Sequence, residues 1–101
     1  MAKTSKAASA VRTVKVAHDL RIAAAAAAFG ELRAAAKARE PRIVLDAREV
    51  EKVDAAGLQA LLAGRRALEG AGKTVTWSGC SAQLKSAAGL LGLAQPLGID
   101  Q

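Results

Sequence analysis

From Val11 onward, short apolar stretches of two different periods are separated by glycine, proline and charged residues. Val11 to Val16 alternates, with Val14 and Val16 on one face, which predicts an edge or half-buried strand. His18 and Asp19 read as a turn. Leu20-Arg21-Ile22 then repeats the alternation briefly and predicts a second strand that pairs back as a hairpin. Ala23 to Ala38 has high helix propensity throughout, and Ala25, Phe29, Leu32 and Ala36 recur at helical spacing, so one face is apolar.

Pro41 ends the linker that follows, and Ile43-Val44-Leu45 is wholly apolar, the pattern of a central buried strand. Asp46 to Asp54 is charged and loop-like, with Val50 and Val53 expected to point inward. A second helix is predicted from about Asp54 through Leu58, Leu61, Leu62, Arg65 and Leu68, with stops at Gly70 and Gly72. Thr74 to Trp77 is β-branched and aromatic and predicts another strand. Ser81 is the expected N-cap of a third helix, with Leu84, Ala87, Ala88 and Leu91 on its buried face. The order predicts an α/β fold: a small mixed, mostly parallel four-stranded sheet with about three helices packed on it.

At 101 residues the chain holds one domain, expected over residues 11–101, with residues 1–10 a disordered basic tail. The core must be small, because 26 alanines stand beside 25 residues drawn from Leu, Val, Ile, Met, Phe and Trp. The longest apolar run, Ile22 to Phe29, is eight residues, whereas a membrane helix needs about 20. Direct membrane insertion is not expected. The N-terminal stretch lacks the apolar region of a signal peptide.

The single cysteine, Cys80, excludes an intramolecular disulfide and a two-cysteine redox motif, which suits a cytoplasmic setting. His18 beside Asp19 finds no further metal ligands nearby, so neither metal nor cofactor is expected. The net charge of +6 lies entirely in residues 1–39, which carry eight Lys or Arg against two Asp or Glu. With one Phe, one Trp and no Tyr there is little surface for stacking bases. Weak, salt-sensitive adhesion is the expectation, and no specific nucleic acid.

The most specific stretch is Arg42-Ile-Val-Leu-Asp46 followed by Val53-Asp54-Ala55-Ala56-Gly57-Leu58. A strand ends in an acid, and a second acid precedes two small residues and a glycine at a helix start. Asp54 sits where its carboxylate accepts first-turn N–H groups and its charge meets the positive helix end. Small residues there leave room for an anion or a partner's side chain.

These residues, with the Leu61-Leu62 pair, the Gly70-Ala71-Gly72 break and the closing Leu90-Leu91-Gly92-Leu93, resemble a STAS domain, the module of anti-sigma factor antagonists and sulphate transporters. The resemblance covers about residues 11–97 and implies a binding module, usually without enzymatic chemistry. In regulatory members the hydroxyl residue just before the glycine is phosphorylated by a partner kinase that is also the anti-sigma factor, and phosphorylation releases the complex. Here that position is Ala56, preceded by Ala55, and neither carries an acceptor oxygen.

The expectation is a constitutive partner surface made by Glu49, Glu51 and Asp54, by Ala55, Ala56, Gly57 and Leu58, and by Gln59, Ala63 and Arg66 along the helix. Other readings of these residues exist. Asp46 and Asp54 as paired catalytic carboxylates or magnesium ligands lack a completing Lys, Ser or acid nearby. Gly57 in a phosphate loop lacks the glycine density and following Lys of a nucleotide cradle. Trp77 reads as a sheet residue, and Cys80 at a strand end as inert. Two settings follow from the resemblance for a bacterial, non-enzymatic protein. One is partner-switching or chemotaxis-associated signalling, with an anti-sigma, kinase-like or chemotaxis partner, and it is slightly favoured. The other is a cytoplasmic subunit that binds the ATPase of a phospholipid-transporting ABC system. Both leave room for a homodimer.

Overall fold

Three parallel strands and two long helices carry the architecture. The computed structural model of the chain describes residues 10–99. In chain order the elements are β1 (Val11–Lys15), β2 (Asp19–Leu20), α1 (Ile22–Lys37), β3 (Arg42–Ala47), β4 (Lys52–Val53), α2 (Ala55–Gly70), β5 (Thr74–Cys80), α3 (Ala82–Leu90) and α4 (Ala94–Leu97). The expected basic tail lies, Ala10 apart, outside the described residues.

The main sheet has the order β1-β3-β5, with Val11 opposite Arg42 and Arg42 opposite Thr74. Strands that follow one another in space as in sequence, joined by right-handed crossovers, place both connecting helices on one face of the sheet. The burial of β3 agrees: Ile43, Leu45 and Ala47 are buried, while Arg42 is exposed and Val44 and Asp46 are half-buried. On the face without helices, Val44 stands between Thr13 and Thr76, both exposed.

The α/β class, the mostly parallel pairing and the helices packed on the sheet agree with the sequence reading, while three details differ. The second strand does not fold back on β1. It forms a separate two-stranded ladder in which Asp19 and Leu20 lie opposite Lys52 and Val53, in parallel. The reason is depth: Leu20 is fully buried, and the backbone around it is held by the later loop, His18 accepting from the N–H groups of Glu51 and Lys52. Leu91 is not on a buried face. It caps the C-terminus of α3 and is 50% exposed. A short further helix, α4, follows, and its Leu97 is fully buried.

The core joins both helices to the sheet through Leu32, Ile43, Leu45, Val50, Leu58, Leu61 and Leu68. Alanine-rich helices approach closely, and at Gly64 a Cβ would collide with the Leu32 side chain of α1. The last turn is fastened by one carbonyl: Leu97 O accepts from Arg65 Nη1 and from Trp77 Nε1, each at 2.8 Å. Trp77 is thus a half-buried sheet residue whose indole N–H is used.

Candidate protein-docking site

The start of α2 is organised by one carboxylate. Asp54 has extended backbone angles and caps the helix, its Oδ1 accepting from Gly57 N at 2.9 Å. Its Oδ2 accepts from Ile22 N, also at 2.9 Å, which is the first N–H of α1. Residue 21 is an arginine and makes no side-chain cap of its own, so Asp54 serves two helix N-termini at once. These N–H groups, Gly57 foremost, hold its carboxyl below the ordinary carboxylate range.

Gly57 completes the turn for a steric reason. A Cβ there would overlap the carbonyl oxygen of Leu20, so only glycine lets the first turn of α2 lie against the end of β2. Between these two fixed residues, Ala55 is exposed and Ala56 half-buried. Gly57 and Leu58 themselves are buried, which corrects their expected place on the surface: they position it from beneath. Gln59, Ala63 and Arg66 are exposed. Their spacing of four and three keeps them on one stripe of α2 that continues from Ala55 and Ala56.

The two expected loop acids take different places. Glu51 is exposed, and its N–H donates to His18 O at 2.7 Å. Glu49 is exposed and ion-paired with Lys15 of β1 at 3.0 Å. Asp46 is engaged by Arg48, whose Nε and Nη2 reach its two oxygens at 3.0 and 2.9 Å. That bidentate contact, reinforced by the Arg48 N–H and the nearby Lys15, lowers its pKa to about 2. Arg48 can lie flat there because Gly79 has no side chain: a Cβ at that position would meet the aliphatic part of Arg48. Both candidate catalytic acids therefore have structural partners, and among the described residues no group of three or more His, Cys, Asp or Glu side chains is placed to hold a metal. Burial pushes the Cys80 thiol pKa up, which keeps it protonated.

The surface around this helix start holds residues that periodicity does not mark. Ile22 is 72% exposed and Leu90 85% exposed. A shallow groove of about 750 Å³ runs from Arg21, Lys52 and Val53 to Gln83, Ala87 and Leu90 of α3. A second, of about 460 Å³, lies between Asp19, Arg21, Ile22 and Asp54. Arg21 lines both and is pinned by Asp19 at 2.9 and 2.8 Å. The only sequence signal for this apolar rim was negative: Ile22 and Leu90 stand next to helix ends, where an apolar residue need not face the core.

No described helix is long and apolar enough to cross a membrane. The sequence finds no match among curated proteins. Among solved structures it is similar to a sulfate transporter family protein from Wolinella succinogenes, at 25% identity and a TM-score of 0.72, over 87% of this chain and 71% of that one. The profile of the family described as "Mlab, STAS domain" matches residues 4–99. With nearly the whole chain inside that match, and the fold agreeing, the chain belongs to the STAS domain family, whose members are in general regulatory or binding modules.

Proposed function

We propose that the protein is a non-enzymatic, constitutive protein-docking module whose contact surface is the start and outer stripe of α2. The observation that carries this reading is the Asp54–Gly57 turn: its ends are locked by hydrogen bonding and steric fit, while the two positions between them are alanines, Ala55 exposed and Ala56 half-buried. A phosphate at this point would add nearly two negative charges next to Asp54 and oppose burial against a partner. Ala56 has no oxygen to receive one, so the surface stays small, neutral and apolar, flanked by exposed Ile22.

Of the two settings, the transport-associated one gains support from the solved relative, a sulfate transporter family protein. It does not depend on a phosphorylation cycle. In that setting the partner is the ATPase of an ABC system and the protein is its small cytoplasmic subunit. The signalling setting requires a partner that is released without modification of Ala56.

The test is affinity capture of native partners with wild type and Ala56→Asp, with folding of both verified by circular dichroism. Retention of an ABC ATPase by the wild type and its loss from the variant is the expected result. Capture of an anti-sigma or chemotaxis kinase instead places the protein in signalling, and equal capture by both proteins removes α2 as the docking surface.

A further inference from the structure

The net charge is distributed between two ends of the fold. Because β1, β3 and β5 are parallel and Val11, Arg42 and Thr74 are in register, all three strands begin at one pole. The helix α1 runs back to that pole and ends there at Lys37. Lys73 donates to the carbonyls of Ala38 and Glu40, tying the start of β5 to the linker after α1. Arg12, Arg33, Lys37, Arg39, Arg42 and Lys73 therefore share this end. Glu40 and Glu69, the latter in the last turn of α2, are the carboxylates at this end, held by Arg12 at 3.0 Å and by Arg65 at 3.3 Å, while Glu31 lies toward β1, along a groove with Thr13 and Lys15.

At the other end, around the start of α2, charges balance. Lys15 with Glu49, Arg21 with Asp19 and Arg48 with Asp46 are ion pairs, and Lys52 stands beside Glu51. Among the described residues no carboxylate pairs with Arg33, Lys37, Arg39 or Arg42, and all four are exposed. Four cations outside these ion pairs within ten residues, only Arg39 of them near a carboxylate, that of Glu40, repel one another and project a positive field from a single end.

We infer that this pole adsorbs to an anionic phospholipid surface, while the start of α2 at the far end stays free for its protein partner. Three observations favour lipid over nucleic acid. The surface grooves beside Leu90 and Ile22 and between β1 and α1 are lined by none of the four cations, so none of these grooves would lead a strand past them. No aromatic side chain accompanies them: Trp77 is committed to Leu97 O, and Phe29 is half-buried. Val11, opposite Arg42, is 48% exposed and supplies an apolar contact at headgroup depth. Clusters of four or more Lys or Arg adsorb to such surfaces without a shaped pocket, because fluid lipids gather beneath them.

The experiment is co-sedimentation of the full chain with vesicles of phosphatidylcholine alone or with about 30 mol% phosphatidylglycerol, repeated between about 0.05 and about 0.5 M salt. Binding to the anionic vesicles that weakens steeply with salt is expected. The quadruple variant Arg33→Gln, Lys37→Gln, Arg39→Gln, Arg42→Gln should lose at least about a hundredfold in partition coefficient at the lowest salt, and Arg39→Gln with Arg42→Gln alone about thirtyfold. The double variant tests the idea even if the quadruple one folds poorly. Both should still capture the protein partner, so failure here and failure of the docking reading are distinguishable. Equal binding to neutral vesicles, unchanged binding by the double variant, or complete displacement from anionic vesicles by polyuridylate at equal phosphate would overturn the inference, the last in favour of nucleic acid.

Discussion

At the residue scale, Asp54 and Gly57 show how little chain is needed to build a surface. One carboxylate satisfies the first N–H of α1 and an N–H in the first turn of α2, and one missing Cβ admits the carbonyl of Leu20. Gly57→Ala forces that carbonyl or the helix to move, and a loss of about 1–3 kcal/mol or more is expected from urea denaturation. Asp54→Ala leaves two helix starts without their acceptor, so hydrogen exchange should quicken at both Ile22 and Gly57. An exchange change confined to Gly57 would refute the shared role. Asp46 sets a pH dependence whose sign is fixed. Its folded pKa is about 2 against an ordinary 3.8, so the unfolded chain binds more protons between these values. The contribution is present above about pH 4 and lost as pH falls toward 2. In Asp46→Asn the acid limb of the stability curve should be shallower.

At the scale of elements, the α1–α2 contact depends on Gly64 lying under Leu32. Leu32→Ala alone should cost about 2–5 kcal/mol, as for other buried leucines. Gly64→Ala should also destabilise, by overpacking. Combined, the two should cost less than their sum, because the smaller residue at 32 makes room for the new methyl; strict additivity in a double-mutant cycle would mean the helices do not meet there. The long elements were legible in the sequence for the same physical reasons that form them. Alanine-rich runs with apolar repeats make α1 and α2, Ser81 does cap α3 by accepting from Leu84 N, and β-branched residues make β5. The short ones were not. Lys52 and Val53 sit in a charged loop, and two residues carry no period, so the ladder with Asp19 and Leu20 had no local signature. The same is true within the site: the Asp54 cap is local and readable, whereas its bond to Ile22 spans 32 positions.

At the scale of the whole molecule, both long helices lie on one face of a three-stranded sheet, and β3 is the strand bonded on both sides. Amides of Ile43 to Leu45 should therefore be the last to exchange, close to the global unfolding limit, with those of β1 and α4 well ahead of them. Slowest exchange in β1 would contradict this order. The sequence placed the charge excess in the first 39 residues but not its focus on one pole, since that focus requires strand register and the return of α1 to be known. It also assigned Gly57 and Leu58 to the partner surface, because a motif read along a line does not show which of its members turn inward.

The turn from Asp54 to Gly57 also bears on how such a protein can change over generations. Its outer two members are bound by geometry and its inner two are not, so variation is confined to two neighbouring codons. An alanine codon becomes a serine or threonine codon by one first-base change. Ala56→Ser should be accepted with a stability change within about 0.5 kcal/mol. A lineage could then pass between a permanently competent surface and a modifiable one in a single step, with the scaffold unaltered beneath it.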